Sequence, residues 1–532
     1  LGAACSEDFL EKDPLGVETS ASFYNTDENA QKGLYAMYNV FQGRETYATN
    51  KWALGSVAAD IAEGGGEPGG TDVMDIQLID QLAVNPRNGV LADYWYGWYA
   101  GVYRANILLE NIEGNPELTP GLRDRLVAEA YTARALCHFE LVITFGGVPY
   151  IDRVLSPDEL EQKRATAGTV FANMYEDLDK AIAYFEGNNT EIQGRFDMAA
   201  AKAIKLKALV YESSYAEQSF YDKWIGDCQD RWAEAQALAE DIVSKEGEYN
   251  LGLAPAYDML WRKEGEVSPE HVFSVNAVSM ASYEGSRISN GDGSFEHGPG
   301  IGNLGCVFQT ARGFYNNGTG MTDFDALGWG FNVPTETFVS AFAAGDARLA
   351  NSVVFDKDKW LLEADADSIE LWTGWSPTGY AHRKYMQEPS EKDPSAEPHG
   401  GELDIKVLRY ADVLLLAAEA NIKTGDAARA TQLINRVRAR ARNTTGADEP
   451  ADLTGDATMA DIEQERMLEL GTEGHRFFDL VRWGKAAEVL NGHFNNTLQT
   501  ALTFETGINE FYPIPASEIA RTNNALEQNP GY

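Results

Sequence analysis

Histidine and cysteine, which most often bind zinc or act as nucleophiles, are scarce in this sequence. The chain has 532 residues, of which seven are histidine and four are cysteine. No His-Glu-x-x-His, Cys-x-x-Cys or Gly-x-Ser-x-Gly pattern is present, and these are spacings typical of zinc sites and serine hydrolases. The glycine-rich stretches lack the Lys-Ser/Thr of a phosphate-binding loop. We therefore expect no catalytic residues, no metal site and no cofactor.

Basic side chains are also few. Lysine and arginine total 43 against 82 aspartates and glutamates, which gives a net charge of −39. Such a surface repels phosphate backbones and other polyanions. We therefore expect no nucleic-acid partner and a neutral ligand. With so many carboxylates, a pair at the separation of a glycosidase is bound to occur by chance, and it carries no catalytic meaning.

Long hydrophobic runs are absent: no stretch of eighteen or more apolar residues could form a membrane-spanning helix. Membrane attachment would then need a covalent lipid or a partner. The opening Leu1-Gly2-Ala3-Ala4-Cys5 resembles the end of a bacterial lipoprotein signal, although Gly2 stands where leucine is usual. The acidic pair Glu7-Asp8 resembles the surface-export signal of Bacteroidota-type lipoproteins. We predict that Cys5 is lipidated.

Apolar residues recur at helical spacing through much of the chain. The pattern predicts helices over 92–113, 122–145, 170–186, 198–216, 231–245, 407–423 and 427–441. Alanines are dense inside them and allow close helix pairing, as in tetratricopeptide hairpins, but no clean period of about 34 residues is present. Gly425 is placed to end the first helix of the last hairpin. Trp95, Trp98 and Cys137 are predicted to be core residues, whereas Cys228 and Cys306 are either free or paired.

A second type of sequence lies between the helical stretches. Residues 280–400 are rich in Gly, Asn, Ser, Asp and Pro, and short β-like pieces occur at His271–Val275 and Val353–Phe355. Long irregular stretches in a compact protein are usually functional. We predict a mainly α fold, a tetratricopeptide-like helical-hairpin scaffold with a large loop-rich ligand-binding face. The expected divisions are a tether over 1–22 and one domain over 23–532, with a loop-rich insertion at about 280–400 and a C-terminal block at 461–532.

Short motifs follow one another along the whole chain. The early ones are Asp8-Phe9-Leu10 with Pro14, Trp95 to Asn106, Phe145–Tyr150 and Asp346–Leu349. The C-terminal block holds Glu465-Arg466, Glu469, Glu473-Gly474, Arg476, Asp479-Leu480, Arg482-Trp483-Gly484, Tyr512–Pro515, Glu518-Ile519 and Gln528–Tyr532. In order and spacing, these motifs resemble the SusD/RagB-like family of nutrient-binding outer-membrane lipoproteins.

The resemblance implies a helical scaffold of four tetratricopeptide-like repeats and no catalysis. It implies a lipid-anchored protein on the surface of a Gram-negative, Bacteroidota-type bacterium. Such a protein captures an oligo- or polysaccharide and passes it to a TonB-dependent, SusC-like outer-membrane barrel. Some members bind peptides, so a RagB-like peptide-binding subunit is the alternative. A helical-repeat adaptor and a glycoside hydrolase are further competing interpretations.

A sugar site needs flat aromatic faces and a few planar polar groups. Residues 63–93, where many glycan-binding relatives carry a tryptophan, contain no aromatic residue. We therefore expect either that the aromatic platform lies in the loops of 280–385, above all in the segment Trp372–Pro377, or that the ligand is not a stacked glycan. The candidate ligand contacts are Trp329, Trp372, Trp375, Tyr380, Arg383, Tyr283, Trp52, Asp60 and Asp72.

The charged residues of the C-terminal block invite a catalytic interpretation, but their spacing favours a structural one. Opposite charges recur at roughly helical spacing, so they can pair with each other and cap helix ends. We predict such pairing for Arg466, Glu469, Glu473, Arg476, Asp479 and Arg482.

Overall fold

The computed structural model describes most of the chain. Described residues are 20–66, 73–278, 302–316, 328–358, 368–371, 374–387, 391, 401–444 and 449–532. Four of the predicted functional residues lie outside these ranges, namely Cys5, Asp72, Tyr283 and Trp372.

Helices dominate the described residues. In chain order they are α1 Ser20–Phe23, α2 Asp27–Gln42, α3 Asn50–Trp52, α4 Met74–Asp80, α5 Gly89–Ile112, α6 Pro120–Phe145, α7 Ala167–Phe185, α8 Met198–Ala216, α9 Asp222–Ile225, α10 Trp232–Ser244, α11 Leu304–Gln309, α12 Glu336–Ser340, α13 Ala347–Ser352, α14 Tyr410–Thr424, α15 Ala427–Asn443, α16 Met459–Leu470, α17 Arg476–Arg482, α18 Ala486–Leu490 and α19 Ala516–Arg521. Two π-helical turns, Arg44–Ala48 and Ala53–Val57, flank α3. Within these ranges, no helix is both long and apolar enough to cross a bilayer.

The strands are short and form two-stranded antiparallel ladders. They are β1 Ala62–Gly65, β2 His271–Val275, β3 Gly313–Asn316, β4 Phe331–Pro334, β5 Val353–Phe355, β6 Ser368–Leu371, β7 Tyr380–His382, β8 Ile405–Arg409, β9 Phe494–Asn495 and β10 Thr500–Ala501. The pairs are β1 with β4, β2 with β8, β3 with β6, β5 with β7, and β9 with β10. The predicted β-pieces at 271–275 and 353–355 are both confirmed.

Successive long helices pack side by side, α5 on α6, α6 on α7, α7 on α8, α8 on α10, α10 on α14 and α14 on α15. The predicted mainly α fold, with a helical-hairpin scaffold and a loop-rich face, is confirmed. The hairpin of α14 and α15 turns at Gly425. As predicted from the sequence, this glycine ends α14 in the left-handed conformation, with a φ of 95°. Asp426 then caps α15 by accepting a hydrogen bond from the Arg429 backbone N–H at 3.1 Å.

Helix α6 is the central helix of the scaffold, because every residue from Arg125 to Phe145 is buried. Small residues let its neighbours approach. A Cβ on Gly101 of α5 would lie 2.5 Å from Cys137 Sγ of α6, so a larger residue would not fit there and glycine allows the two helices to pack closely. The predicted core positions of Cys137, Trp95 and Trp98 are confirmed. Cys228 is a buried free thiol, so a Cys228–Cys306 disulfide does not form.

Buried ion pairs join the helices of the C-terminal block, as predicted. Arg466 contacts Asp412 of α14 at 2.6 Å and Asp479 of α17 at 2.9 Å. Arg482 contacts Asp479 at 2.9 Å and Glu419 of α14 at 2.6 Å. Buried charges are tolerated only when they are paired and hydrogen-bonded, so these contacts fix how α14, α16 and α17 pack.

A second cluster of buried ion pairs contains Glu469 and Glu473 of the C-terminal block. Arg409 of β8 reaches Glu469 at 2.9 Å and Glu473 at 2.8 Å, and Arg440 of α15 also pairs with Glu469. The remaining predicted member, Arg476, pairs with Asp60 at 2.9 Å. The predicted pairing within the block is confirmed for Arg466, Asp479 and Arg482. Glu469, Glu473 and Arg476 pair instead with residues outside the block.

The ion pairs make the fold sensitive to acid. Burial raises the pKa of Asp412, but Lys207 and Arg466 outweigh that effect and hold it well below its usual range. A carboxyl with a lowered folded-state pKa stabilises the protein above its unfolded pKa of about 3.9. That contribution is lost as the pH falls below this value through the lower folded-state pKa.

Replacing Arg482 with methionine should lower the free energy of unfolding by roughly 3 to 5 kcal/mol, because Glu419 and Asp479 would remain buried without this partner. Arg521→Met is the matched control: Arg521 pairs with Glu518 but its side chain is 70% exposed, so its loss should cost about 0.5 kcal/mol or less. Denaturant midpoints and thermal midpoints measure both changes. Equal shifts for the two variants would contradict the structural role of Arg482.

Candidate ligand-binding cavity

Trp329 lies between two segments that hold its backbone. Its N–H donates to the Val307 carbonyl at 2.8 Å, and the next N–H, of Gly330, donates to Thr310 at 3.0 Å. On the other side, the Gly66 N–H donates to the Gly330 carbonyl at 3.1 Å. Trp329 is thus fixed directly before β4, which pairs with β1.

The glycines on either side of Trp329 are required by this close approach. A Cβ on Gly328 would lie 2.6 Å from Thr310 Cβ, and one on Gly330 would lie 2.7 Å from Arg312 Cβ. Gly330 also has a φ of +72°, which disfavours other residues. The Gly-Trp-Gly sequence therefore brings the indole close to residues 307–312.

Strand β1 is anchored by buried carboxylates at the other wall. Glu63 accepts hydrogen bonds from the backbone N–H groups of Asn496 at 2.7 Å and Thr497 at 2.8 Å. Asp80 of α4 accepts from the Gly64 N–H at 2.8 Å. These bonds tie β1 and α4 to the turn after β9.

A cavity of about 510 Å³ opens between these walls. It is bounded by the first residues of α5, by α4, by α11 and β4, and by the turns around α3. Its lining residues are Arg44, Thr49, Asn50, Val73, Asp75, Ile76, Gly89, Val90, Asp93, Phe308, Arg312, Trp329 and Phe331. Its volume is in the usual range of small-molecule sites.

Aromatic rings form one wall of the cavity. Phe308 meets Trp329 in an edge-on contact with ring centroids 4.6 Å apart, and Phe331 lies 5.6 Å from Phe308. Trp329 is half-buried. Its indole is therefore supported from within the protein and still reaches the cavity, as a stacking surface for a sugar requires.

Among the described residues, charged groups of both signs line the cavity in equal number. Arg44 pairs with Asp93 at 3.2 Å, and both side chains are partly exposed. Asp75 accepts a hydrogen bond from the Gly89 N–H at the start of α5 at 3.0 Å. With Arg312, the wall carries two guanidinium groups and two carboxylates, so the cavity is locally balanced although the whole chain is strongly acidic.

Trp375 contacts Arg312 and is not among the described residues that line the cavity. The guanidinium carbon of Arg312 lies 3.2 Å from the centroid of the Trp375 ring. Arg312, and not Trp375, therefore faces the cavity. The sequence predicts Trp375 as a platform residue, and in the structure its ring lies against Arg312, which lines the cavity.

Tyr380 and Arg383 make contacts inside the loop-rich face instead of in the cavity. Tyr380 donates its hydroxyl hydrogen to Glu336, and this hydrogen bond, with burial, raises the pKa of Tyr380 to about 12. Its ring packs edge-on against Phe355, its partner in the β5–β7 ladder. Arg383 lies 3.9 Å from Asp358. These residues hold the ladder together, and the cavity does not include them.

Trp52 and Asp60 are corrections to the sequence-based site, because both are only 3% exposed. The indole N–H of Trp52 donates to the Ala48 carbonyl at 3.2 Å, and its ring lies 6.2 Å from Phe308. Asp60 receives both guanidinium hydrogen bonds of Arg476, at 2.9 and 3.0 Å. Trp52 therefore supports the cavity wall from within. Asp60 is buried in an ion pair with Arg476 and does not line the cavity.

Sequence reasoning missed most of the cavity. Arg44, Asp75, Asp93, Phe308 and Arg312 come from separate segments, and none carries a local motif. The one available signal was the pair of glycines around Trp329, which marked an indole that lines the cavity.

A second cavity of about 560 Å³ lies on the helical side, between α5, residues 149–162 and the C-terminal segment. Polar groups of its wall are engaged within the protein. The Tyr99 hydroxyl donates to the Pro149 carbonyl at 2.7 Å, and the Asn106 amide donates to the Ile151 carbonyl at 3.1 Å. The second cavity also has aromatic and charged side chains, among them Tyr103, Arg104 and Arg153. It is built from helical segments, whereas Phe308, Arg312 and Trp329 of the loop-rich face line the first cavity, so we take the first as the candidate site.

Comparison with known proteins agrees with the motifs. Residues 269–532 match the SusD family, and residues 8–208 match a family described as starch-binding associating with outer membrane. A SusD-like protein of Formosa agariphila, P25, is 25% identical, with 99% of this chain and 96% of that protein covered.

Solved structures agree on the fold. A laminarin-binding SusD-like protein is 29% identical with a TM-score of 0.74, covering 95% of this chain and 99% of its own. Surface glycan-binding protein A from Bacteroides thetaiotaomicron, in complex with laminarihexaose, is 21% identical with a TM-score of 0.73 and the same coverage. With its motifs, its fold and these matches, the chain belongs to the SusD family.

Proposed function

We propose that the protein is a cell-surface glycan-binding lipoprotein, which captures an oligo- or polysaccharide and passes it to a SusC-like TonB-dependent transporter. The observation that carries the proposal is the cavity at Trp329, where an indole supported by Phe308 faces two guanidinium groups and two carboxylates. An aromatic face with a few planar polar groups suits binding of a sugar. The protein acts as a binder and not as an enzyme.

The ligand is a neutral glycan. Arg44 is compensated by Asp93 at 3.2 Å, so the cavity has no excess of positive charge for a polyanion. The net charge of −39 repels such a polymer at longer range. Laminarin, a neutral glucan, is the first ligand to test, because a laminarin-binding SusD-like protein is 29% identical over almost the whole chain.

Calorimetry with a panel of polymers tests this proposal. We expect binding to laminarin or another neutral glucan, and little change of affinity with ionic strength, because few ion pairs would be screened. The panel also contains alginate, a sulfated glycan and mixed peptides. Preference for an anionic polymer would contradict the neutral ligand, and preference for peptides would favour the RagB-like alternative. Release of new reducing ends from the bound glycan would contradict the role of a pure binder.

Trp329→Ala should weaken binding of the preferred glycan at least tenfold, about 1.4 kcal/mol, because the stacking surface is lost. The thermal midpoint should change little, since Trp329 is only half-buried. Trp261→Ala is the matched control: this indole is 2% exposed, so its loss should destabilise the fold by roughly 3 to 5 kcal/mol. Binding per folded molecule should remain normal in that variant. Unchanged affinity of a folded Trp329→Ala protein would place the platform elsewhere.

Attachment at the outer membrane is part of the proposal and depends on Cys5. Small residues before Cys5 and the acidic pair after it support lipidation. Cys5→Ala, expressed with its own signal in cells that lack the transporter barrel, should move the protein from the membrane fraction to the soluble fraction with unchanged folding. Cys228→Ala, which removes a buried free thiol, should leave the protein in the membrane fraction. If the Cys5 variant stays in that fraction, the anchor is not at Cys5.

A further inference from the structure

We infer that Arg312 is a ligand-contacting residue of the cavity and that Trp375 is a positioning residue, which holds the Arg312 guanidinium in place. The inference rests on the proposed function and deepens it. In this arrangement Trp375 is not a second stacking platform. Arg312 contacts the glycan, and Trp375 contacts Arg312.

Arg312 lies so close to one face of the Trp375 indole that no sugar can stack on that face. Arg312 Cζ lies 3.2 Å from the Trp375 ring centroid, closer than the 3.7 Å between Arg164 and Trp224 elsewhere in the chain. A guanidinium at this distance is in van der Waals contact with the ring. The arginine therefore covers the face that a platform would offer.

The fold explains why these two residues meet. Arg312 directly precedes β3, and Trp375 follows shortly after β6. The two strands are antiparallel with Gly313 opposite Leu371, so the start of β3 lies beside the end of β6. This register brings Arg312 and Trp375 together although they are distant in sequence.

The backbone at Gly330 confines the stem of Arg312. A Cβ on Gly330 would lie 2.7 Å from Arg312 Cβ, so this backbone passes close beside the side chain. With the Trp375 ring against its head group, the arginine is restricted at both ends. The guanidinium is thus held close to its binding position before the ligand arrives.

The chemistry of the guanidinium fits the ligand class. Stacking uses its flat face, and its N–H donors lie in the plane of the group, where a pair of them matches two neighbouring oxygen atoms. Adjacent hydroxyl groups of a neutral sugar are such a pair of acceptors. Ordering a free arginine on binding would cost up to about 2 kcal/mol of side-chain entropy, and an arginine already held by Trp375 avoids much of that cost.

A double-mutant cycle separates the two roles of Trp375. The affinity of the preferred panel glycan is measured for wild type, Arg312→Ala, Trp375→Ala and the double variant. We expect each single change to weaken binding about tenfold and the double variant to bind no more weakly than Arg312→Ala. Compared with Trp375→Ala, Trp375→Phe should bind more tightly, because its ring can still stack on the guanidinium. Arg312→Lys should bind no more tightly than Arg312→Ala, since lysine lacks the planar group that donates two parallel hydrogen bonds. Additive losses in the cycle would show that Trp375 contacts the glycan itself, and would overturn the inference.

Indole N–H signals of protein labelled with nitrogen-15 in its tryptophans provide a second readout. The Trp375 signal is identified as the one missing in Trp375→Phe. In wild type it should move when the glycan is added, and in Arg312→Ala it should stay unchanged on the same addition. Movement of the signal in both proteins would contradict a role through Arg312.

Controls distinguish this inference from the proposed function. Arg383→Ala removes a nearby arginine that lies outside the cavity, so its affinity should equal that of wild type. Thermal midpoints of all variants exclude global unfolding as the cause of lost binding. Glycan binding by wild type with an additive cycle would refute the inference and leave the proposed function standing. Absence of binding to every glycan in the panel would refute both.

Discussion

The packing of this protein depends on the pairing of charges that the helices bury. Arg466 and Arg482 are completely enclosed, and each lies between carboxylates from different helices. A buried charge without a partner costs far more than a pair contributes, so arrangements of the helices that separate these pairs are strongly disfavoured. The apolar core supplies most of the stabilisation, and the ion pairs specify which helices meet.

The segment after α3 connects the ion-paired C-terminal block to the cavity. The Gly474 N–H, close to the ion pairs, donates to Ser56 Oγ at 2.9 Å, and a Cβ on Gly55 would collide with the Gly474 carbonyl. Four residues after Ser56, Asp60 pairs with Arg476. The chain then enters β1, whose partner β4 follows Trp329 directly. The position of the aromatic wall is thus linked by hydrogen bonds and close contacts to the C-terminal block.

The scaffold was readable from the sequence because its signals are local. Helical periodicity and the Gly425 cap act within a few residues, and the structure confirms both. The predicted charge pairs are mostly not local: Asp479 and Arg482 are three residues apart, but Arg466 and Arg476 reach Asp412 and Asp60. The cavity was not readable, since Arg44, Asp93 and Arg312 meet only through long-range strand pairing and helix packing. Trp52 was misjudged because the π-helical turns around it show no regular periodicity that would reveal burial. Asp60 was misjudged because its partner, Arg476, lies 416 residues further along the chain.

The charge balance explains why the local geometry of the cavity matters so much. The proposed ligand, a neutral glycan, would be neither attracted nor repelled by a net charge of −39, so electrostatic steering would not bring it to the site. Affinity must then come from contacts made after encounter, and these are strongest when the binding groups are already in place. Phe308 against Trp329, and Trp375 against Arg312, are two such arrangements, because each ring restricts a neighbouring group that lines the cavity. In a strongly acidic protein, rigid aromatic support of this kind can replace the attraction that a charged site would use.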